Sequence, residues 1–315
     1  MNGSAMNDAE RRILVIKLGA LGDFVQALTA CGFIRRHHAR DRVALLTAAP
    51  FADLSRASGL FDSVEIDARP KAYQLFDWLA LRRYLREGRF ARVYDLQTSD
   101  RSSFYYRLFW PGPWPEWSGI AKGCSHPHAN PSRDFMHTLE RQAEQLRMAG
   151  IAEAEARAPD VSFLQADVSR FGLGARYVLL VPGGAAHRPG KRWPVERYAA
   201  LATELAAKGF APVLLGAGAE APLTGRIRAL QASAVDLAGQ TTLAEVVALA
   251  RGAAGAVGND TGPMHLIAAA GAPTVVLFSG ESDPALCAPR GPRVTVLRRD
   301  PLETLSVEDA LAALL

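Results

Sequence analysis

The sequence contains few cysteines, few lysines and no long uncharged apolar segment. Its three cysteines, Cys31, Cys124 and Cys287, are odd in number and widely spaced, which predicts reduced structural thiols rather than a disulfide framework. No segment approaches the roughly 18 uncharged apolar residues that a membrane-spanning helix needs. Only five of the 36 basic residues are lysines, so a lysine beside a glycine-rich turn is a strong candidate for a specific role.

Several catalytic signatures are also missing. The sequence has no D-x-D motif and no cluster of His, Cys and Asp with ligand spacing, so we expect no catalytic metal. It has no G-x-S-x-G motif, and its glycine-rich turns match neither a P-loop nor the G-x-G-x-x-G fingerprint. A nicotinamide-dependent oxidoreductase therefore stays only as a less favoured alternative, which a doubly wound α/β pattern would suit.

The formal net charge is +4, and neither half of the chain is a strongly basic block. We therefore expect no nucleic-acid partner. A mild positive excess suits anionic small molecules or an anionic membrane surface, although an ordinary solvated face is the favoured interpretation. The net charge alone does not separate these interpretations.

Apolar segments without polar alternation are separated by amphipathic helical patterns in both halves of the 315-residue chain. This order predicts an α/β fold with parallel sheets covered on both faces. A change of composition over residues 151–175 predicts a linker, which gives two doubly wound domains, residues 1–160 and 161–315. The predicted strands are 13–18, 43–47, 63–66, 92–96, 177–181, 212–215, 234–237, 255–257, 274–278 and 294–297, and the predicted helices include 24–38, 73–87, 134–149 and 264–270.

Two stretches need separate interpretation. Residues 110–131 are rich in Pro, Gly, Trp and His and predict a long irregular loop. Residues 11–31 imitate a secretion signal that ends at Cys31, but Lys17 and Asp23 lie inside its apolar region and glycines interrupt it. We therefore expect a strand, a turn and a helix here, and a cytoplasmic protein.

Ligands of doubly wound folds bind at the carboxyl ends of the strands, so the strand-to-helix loops are the candidate sites. In the first of these loops, Gly22 and Asp23 follow the first predicted strand. Asp23 is either the N-cap of the next helix or a general base at the domain cleft.

The second loop begins with Gly183 and Gly184 and ends near Lys191. Glycines allow the backbone to approach an anion closely, and a lysine before a helix start can reach the same anion. Lys191 is therefore predicted to bind phosphate, unless it is a surface lysine. In another loop Glu220 follows a strand and a glycine-rich turn, where a carboxylate commonly binds a ribose diol; the alternative is an exposed acid favoured by the helix dipole.

The most informative loop contains Asp260, Thr261 and Gly262, between a buried strand and a helix of small residues. The amides of Thr261, Gly262 and Met264 are expected at the helix N-terminus, where a diphosphate is stabilised. The alternative is that Asp260 or Thr261 only caps the helix. His265, one turn further on, is either a hydrogen-bonded core histidine or a substrate contact.

Four segments follow one another in a recognisable order: ILVIKLGALGDFVQALTA, VPGGAAHRPGKRWPVERYAALATEL, LLGAGAE and GNDTGPMHLIAAAGAPTVVLF. Together they resemble the glycosyltransferase family 9 heptosyltransferases, bacterial enzymes of lipopolysaccharide core assembly. The resemblance covers most of the chain. It is strongest over residues 11–30 and 177–280 and weak over about 50–160.

The resemblance implies a GT-B architecture, with two Rossmann-like domains facing across a cleft, and an inverting, metal-independent transfer from an ADP-sugar. It implies a lipid-linked glycan acceptor and no cofactor, since the ADP-sugar is a co-substrate. By matching position, Asp23 corresponds to the catalytic base and Lys191 to the phosphate-binding lysine. The other implied donor contacts are Gly183, Gly184, Glu220 at the ribose, Asp260, Thr261, Gly262 and His265, and the implied acceptor contacts are Lys17 and Gly22.

The sequence departs from the family pattern in two loops. Residues 280–284 read Gly-Glu-Ser-Asp-Pro where many members have Gly-Pro-Thr-Asp-Pro, and residues 18–20 read Leu-Gly-Ala where the best-known members have two serines. The identities of the sugar and of the acceptor are therefore left open. A catalytically silent protein that only binds a nucleotide-sugar also stays open as an alternative.

The helix predicted at 73–87 combines basic and apolar residues. This composition suits contact with an anionic leaflet presenting a lipid acceptor. The basic residues are Arg82, Arg83 and Arg86, and the apolar residues beside them are Phe76, Trp78 and Leu79. The alternative is a core-packed helix with a solvated face.

Overall fold

The computed structural model describes residues 10–185 and 187–315. Residues 1–9, in the first predicted domain, and Ala186, in the second predicted loop, lie outside the described residues. The chain divides into two compact units. The first contains residues 30–134 and 139–156 with the described part of 1–19, and the second contains 20–29, 135–138 and 157–315. The domain limits given above stay a prediction.

The first unit contains a six-stranded parallel sheet with the strand order β3-β2-β1-β4-β5-β6. Its central strands are buried on both faces because they consist of apolar residues without alternation. The strands are β1 (Arg12–Ile16), β2 (Arg42–Thr47), β3 (Ser63–Ile66), β4 (Arg92–Asp95), β5 (Glu116–Gly119) and β6 (His126–Pro127).

Helices cover both faces of this sheet, and the core between them includes Leu14, Leu46, Leu85, Val93 and Trp117. The helices are α1 (Leu21–His37), α2 (Ala52–Ala57), α3 (Leu75–Glu87), α4 (Asp100–Arg107) and α5 (Thr138–Met148). Helices α1 and α5 each begin with residues of the second unit.

The prediction of a long irregular loop over 110–131 is wrong in part, because β5 and β6 lie inside it. Trp117, in β5, is fully buried in the core of the first unit. These strands are only four and two residues long, and neither forms the apolar run by which a buried strand is recognised in a sequence.

The second unit repeats the architecture, with a six-stranded parallel sheet in the order β12-β11-β10-β7-β8-β9. Its strands are β7 (Tyr177–Val181), β8 (Ala211–Leu214), β9 (Val235–Asp236), β10 (Gly255–Asn259), β11 (Thr274–Phe278) and β12 (Val294–Arg298). All residues of β7, β10 and β11 are buried. The predicted α/β class, with two doubly wound parallel sheets, is confirmed.

The helices of the second unit are α6 (Val195–Ala207), α7 (Ala221–Leu230), α8 (Leu243–Gly252), α9 (Gly262–Ala269), α10 (Pro284–Cys287) and α11 (Val307–Leu314). Helix α8 begins with a capping box in which the Thr242 hydroxyl accepts from the Glu245 amide. Across the described ranges, no helix combines the length and apolarity required to cross a bilayer.

Candidate functional site

The candidate site of the second unit lies where its strand order reverses. Strands β7 and β10 are paired neighbours, but the chain continues from β7 to β8 on one side and from β10 to β11 on the other. In open α/β sheets, ligands bind outside the carboxyl ends of the strands at such a switch point. The loops after β7 and β10 carry Gly183, Gly184, Asp260 and Thr261.

Asn259, the last residue of β10, holds these loops together. It is fully buried, and its side-chain oxygen accepts from the Trp193 amide and the Tyr198 hydroxyl, both at 3.0 Å. Its amide nitrogen donates to the carbonyls of Pro182 (2.8 Å) and Gly183 (3.0 Å). All four hydrogen-bonding positions of the side chain are therefore used. This role was not predicted from the sequence, although a polar residue that ends a buried apolar strand was a signal for it.

Lys191 and Asp260 form an ion pair at this edge of the sheet. The Lys191 ammonium lies 2.6 Å from the Asp260 carboxylate, and the two side chains are only 13% and 9% exposed. The Ser282 hydroxyl donates to the same carboxylate oxygen at 2.9 Å. Lys191 is therefore held at the carboxyl end of β10, which contradicts the alternative that it is a solvated surface lysine.

Helix α9 begins immediately after this pair. Thr261 occupies the N-cap position, but its side chain makes no capping bond, and its buried hydroxyl has no partner within the described parts of the chain. The Met264 amide, expected to be available to an anion, instead donates to the Thr261 carbonyl at 3.1 Å. The candidate anion donors are therefore the amides of Thr261 and Gly262 and the Thr261 hydroxyl, at the positive end of the helix dipole.

Glu220 connects the loop after β7 to the turn after β8. Its carboxylate accepts from the amides of Gly184 (2.9 Å) and Ala217 (2.8 Å). A Cβ atom at Gly183 would lie 1.8 Å from this carboxylate, so the close approach requires glycine there. Glu220 is thus part of the loop architecture, and its predicted contact with ribose stays a prediction.

Asp23 lies in the first turn of α1, two residues after the helix begins at Leu21. The alternative that Asp23 is the N-cap is therefore wrong, because the helix begins earlier than the sequence pattern indicated. Glycine-rich residues 19–22 concealed this start, since glycine is a poor helix former.

The beginnings of α1 and α9 are packed against each other through two glycines. A Cβ atom at Gly22 would lie 2.8 Å from Nε2 of His265, and a Cβ atom at Gly262 would lie 2.6 Å from Cβ of Leu21. Two helix N-termini thus meet beside Asp23. Because each carries a partial positive charge, this position favours an anion.

His265 is 7% exposed, and burial lowers its pKa to about 4 in spite of the nearby Asp260 and Asp23 carboxylates. It is therefore neutral near pH 7. Its Nδ1 atom lies 3.3 Å from the amide nitrogen of Gln26. The predicted alternative, a hydrogen-bonded core histidine, therefore describes this side of the ring. The Nε2 atom, on the other side, lies against Gly22.

Lys17 belongs to the first unit, after β1 and beside β4, at the switch point of that sheet. It is 4% exposed, and its ammonium donates to the Leu96 carbonyl at 3.4 Å. Asp95, at the end of β4, is fully buried, and burial raises its pKa to about 6.

The predicted site residues are divided between the two units. Lys17 belongs to the first unit, and all the others belong to the second.

Known proteins resemble both the sequence and the fold of this chain. The lipooligosaccharide heptosyltransferase 2 of Haemophilus influenzae is 36% identical over 131 residues, which are 40% of this chain and 38% of that protein. The lipopolysaccharide heptosyltransferase 2 of Escherichia coli K12 is 37% identical over 120 residues, 36% of this chain and 34% of that protein. The matched segments thus span less than two fifths of either relative.

Solved structures match over nearly the whole chain. A family 9 glycosyl transferase from Veillonella parvula superposes with a TM-score of 0.83 at 18% identity, covering 96% of this chain and 95% of that one. The ADP-heptose lps heptosyltransferase II of E. coli gives a TM-score of 0.78 at 22% identity, covering 96% and 97%. These matches confirm the predicted GT-B fold class.

The sequence model of one protein family also matches the chain. This model, glycosyltransferase family 9 (heptosyltransferase), covers residues 78–311, which is well over half of the chain and includes the loops after β7, β8 and β10. The predicted resemblance is thereby confirmed: the chain belongs to glycosyltransferase family 9, the heptosyltransferase family.

Proposed function

We propose that the chain is an inverting, metal-independent glycosyltransferase that moves a heptose from an ADP-sugar to a lipopolysaccharide-core or related glycan acceptor. The observation that carries this proposal is the cluster of Lys191, Asp260 and Thr261 at the switch point, beside the helix start that bears Asp23. Its family membership supplies the class of sugar.

The donor diphosphate is proposed to bind at the beginning of α9. Lys191 supplies a positive charge, and the Thr261 hydroxyl and the amides of Thr261 and Gly262 supply hydrogen-bond donors. Together these groups neutralise the negative charge that grows on the departing ADP, a task that other transferases assign to a divalent cation. In this proposal Glu220 binds the ribose, and the loop of Gly183 and Gly184 allows the nucleotide to approach.

Asp23 is the proposed general base. As the acceptor oxygen forms a bond to the anomeric carbon, its proton passes to the Asp23 carboxylate, and the bond from that carbon to the phosphate oxygen breaks to release ADP. One in-line displacement inverts the configuration at the anomeric carbon. A positioned base contributes about 10² to 10⁴ in rate. The family model begins at residue 78 and therefore does not include Asp23. The proposed role of Asp23 rests instead on its placement beside His265 and Gly262.

A direct assay tests the proposal. Purified protein is incubated with ADP-heptose and a panel of truncated lipopolysaccharide-core acceptors, and ADP release and the anomeric configuration of the product are measured, with and without a chelator. ADP release that requires an acceptor, gives an inverted product and persists in chelator supports the proposal. ADP-heptose binding without turnover on any acceptor would instead identify a silent binding protein.

The acceptor is proposed to be presented at the inner face of the cytoplasmic membrane, where helix α3 makes peripheral contact. Tyr73, Leu75, Phe76 and Leu79, which we call the α3 patch, are 77%, 63%, 86% and 51% exposed. Exposed aromatic and aliphatic residues next to the exposed Arg83 suit the interface of an anionic leaflet.

The other predicted membrane contacts of α3 are engaged within the protein. Arg82 and Arg86 donate to the Trp110 carbonyl at 2.9 and 2.7 Å, so their charges are directed at the backbone. Leu81 and Leu85 are buried. Helix α3 is therefore packed on one face, and only the α3 patch with Arg83 is proposed to meet lipid. The acceptor contacts of Lys17 and Gly22 stay predictions.

Vesicle flotation tests the membrane contact. We expect the protein to float with vesicles that contain anionic lipid, and Phe76→Ser to weaken binding by about 30-fold, because a buried phenylalanine contributes about 2 kcal/mol. Phe135→Ser is the matched control, since Phe135 is 84% exposed and lies outside the α3 patch. Equal binding of both variants would contradict the proposed contact.

A further inference from the structure

Gln26, in the second turn of α1, is buried beside two carbonyl oxygens and one ring nitrogen, a position that no predicted role explains. It is 1% exposed. Its amide nitrogen lies 3.3 Å from each of the carbonyl oxygens of Cys287 and Ala288 and 3.3 Å from Nδ1 of His265. The amide thus connects the end of α10 with the imidazole of α9.

The two carbonyls determine which way the amide points. A backbone carbonyl can only accept, so the amide group that faces both of them must be the NH2. Turning the amide round would replace two N–H···O contacts with two oxygen–oxygen contacts at 3.3 Å. The Gln26 oxygen has no hydrogen-bond partner within the described residues, so nothing on that side favours the reverse orientation.

The orientation of the amide in turn determines where His265 carries its proton. An amide NH2 has no acceptor lone pair, so an N–H on Nδ1 would face another N–H. Nδ1 must therefore be the unprotonated nitrogen, and the neutral imidazole carries its proton on Nε2. Nε2 of His137 also lies 3.0 Å from the Ala288 carbonyl, so this carbonyl has two donors beside it.

The protonated edge of His265 lies against the start of α1. A Cβ atom at Gly22 would come within 2.8 Å of Nε2, so only a glycine leaves this edge uncovered. The charged and titratable groups that act on the imidazole are Asp260, Asp23 and His137. A neutral donor at this position hydrogen-bonds a substrate oxygen without competing with Asp23 for the acceptor proton.

We propose that Gln26 is a positioning residue that holds His265 as the neutral Nε2–H tautomer, so that His265 donates a hydrogen bond to an oxygen of the sugar diphosphate. The substrate half of this inference rests on the proposed function, whereas the tautomer half does not. Burial of the imidazole, which lowers the pKa of His265 to about 4, keeps this donor neutral through the neutral pH range.

Nitrogen NMR of the ¹⁵N-histidine-labelled full chain measures the tautomer without substrate, with His265→Gln used to assign the His265 signals. We expect an unprotonated Nδ1 and a protonated Nε2 in the wild type between pH 6 and 8. Gln26→Met, which keeps the length but removes the donor, should give a mixture of tautomers. Gln26→Asn, whose amide is one methylene shorter, should do the same and serves if the Met variant folds poorly. Gln240→Met, at an exposed glutamine, is the control.

Kinetics then test the substrate half. We expect Gln26→Met to lower kcat about tenfold with little change in KM for ADP-heptose, which corresponds to about one hydrogen bond lost from the transition state. A wild-type proton on Nδ1, or an unchanged tautomer in both Gln26 variants, overturns the positioning role. A shifted tautomer with unchanged kcat overturns the hydrogen bond to substrate. If the wild type has no turnover, the proposed function fails while the spectrum still decides the tautomer.

Discussion

Replacing Lys191 with methionine should weaken ADP binding more than any other single substitution in the loop after β7. The variant removes a cation that lies 2.6 Å from Asp260 in an environment where both side chains are about nine-tenths buried. It also leaves the Asp260 carboxylate, still bonded to Ser282, without its counter-charge beside the diphosphate. The loss of attraction by Lys191 and the new repulsion by Asp260 both weaken the binding of ADP.

The magnitude follows from the interaction removed. A hydrogen bond to a charged group contributes about 1.5 to 3 kcal/mol, and a unit charge pair at about 4 Å contributes at most about 4 kcal/mol near a protein surface. We therefore expect the Kd for ADP to rise about 10- to 100-fold. Adding Asp260→Asn to the variant should recover about tenfold of this loss, because the unpaired carboxylate is then removed.

Isothermal titration calorimetry with ADP, at two salt concentrations, measures both effects. Lys208→Met is the matched control, since Lys208 is exposed beyond the end of α6 and its replacement should leave the Kd unchanged. An ADP affinity of Lys191→Met within twofold of the wild type would refute the assignment of Lys191 to the diphosphate. A double variant no better than the single variant would refute the repulsion by Asp260.

Three further substitutions test the site. Asp23→Asn should lower kcat by about 10² to 10⁴ while calorimetry finds ADP affinity unchanged, and near-normal turnover would exclude the base. Gly262→Ala places a Cβ 2.6 Å from Leu21 and should cost about 1 to 3 kcal/mol of unfolding free energy in urea; Gly225→Ala, in α7 with no atom within 4 Å, should instead stabilise slightly. Because His265 has a folded pKa of about 4, below its ordinary 6.5, the unfolded chain binds its proton first, so stability should fall as pH drops from about 6.5 to 4, by at most about 1.4 kcal/mol per pH unit. Asp95, whose pKa is raised to about 6, makes stability rise over part of the same pH decrease, so the wild type is compared with His265→Gln. The stability of this variant should depend less on pH between 6.5 and 4. An equal pH dependence of the two proteins would contradict the buried neutral imidazole.

Much of the fold could be predicted from the sequence because its central strands are apolar on both faces. The strands at Ser63–Ile66, Tyr177–Val181 and Thr274–Phe278 have the predicted limits. Strands β5 and β6 have four and two residues and no apolar run, which is too short a pattern to be recognised, and their pairing is decided by tertiary packing. The short helices α2 and α4 escaped prediction for the same reason.

The candidate site was predicted unevenly. Lys191 and Asp260, which carry charge near glycines, were proposed as site residues because their chemistry is visible in the sequence, and the structure pairs them. Asn259, Gln26 and Ser282 were not identified, since their roles depend on partners that lie 22 to 262 positions away in the sequence. Only the folded chain brings such partners together.

Asn259 holds the two loops together with an uncharged side chain, and this has a consequence for how members of the family differ in the sugar donor that they accept. Because the neutral Asn259 amide aligns the two loops and the start of α6, this alignment does not depend on a charge at position 259. In the proposed donor site, a change at Ser282, whose hydroxyl bonds the Asp260 carboxylate, is therefore expected to alter which nucleotide-sugar is accepted without rebuilding the sheet beneath. Replacing Asn259 with aspartate would turn its contacts with the Pro182 and Gly183 carbonyls repulsive, and we expect the proposed donor site to lose affinity for every nucleotide-sugar.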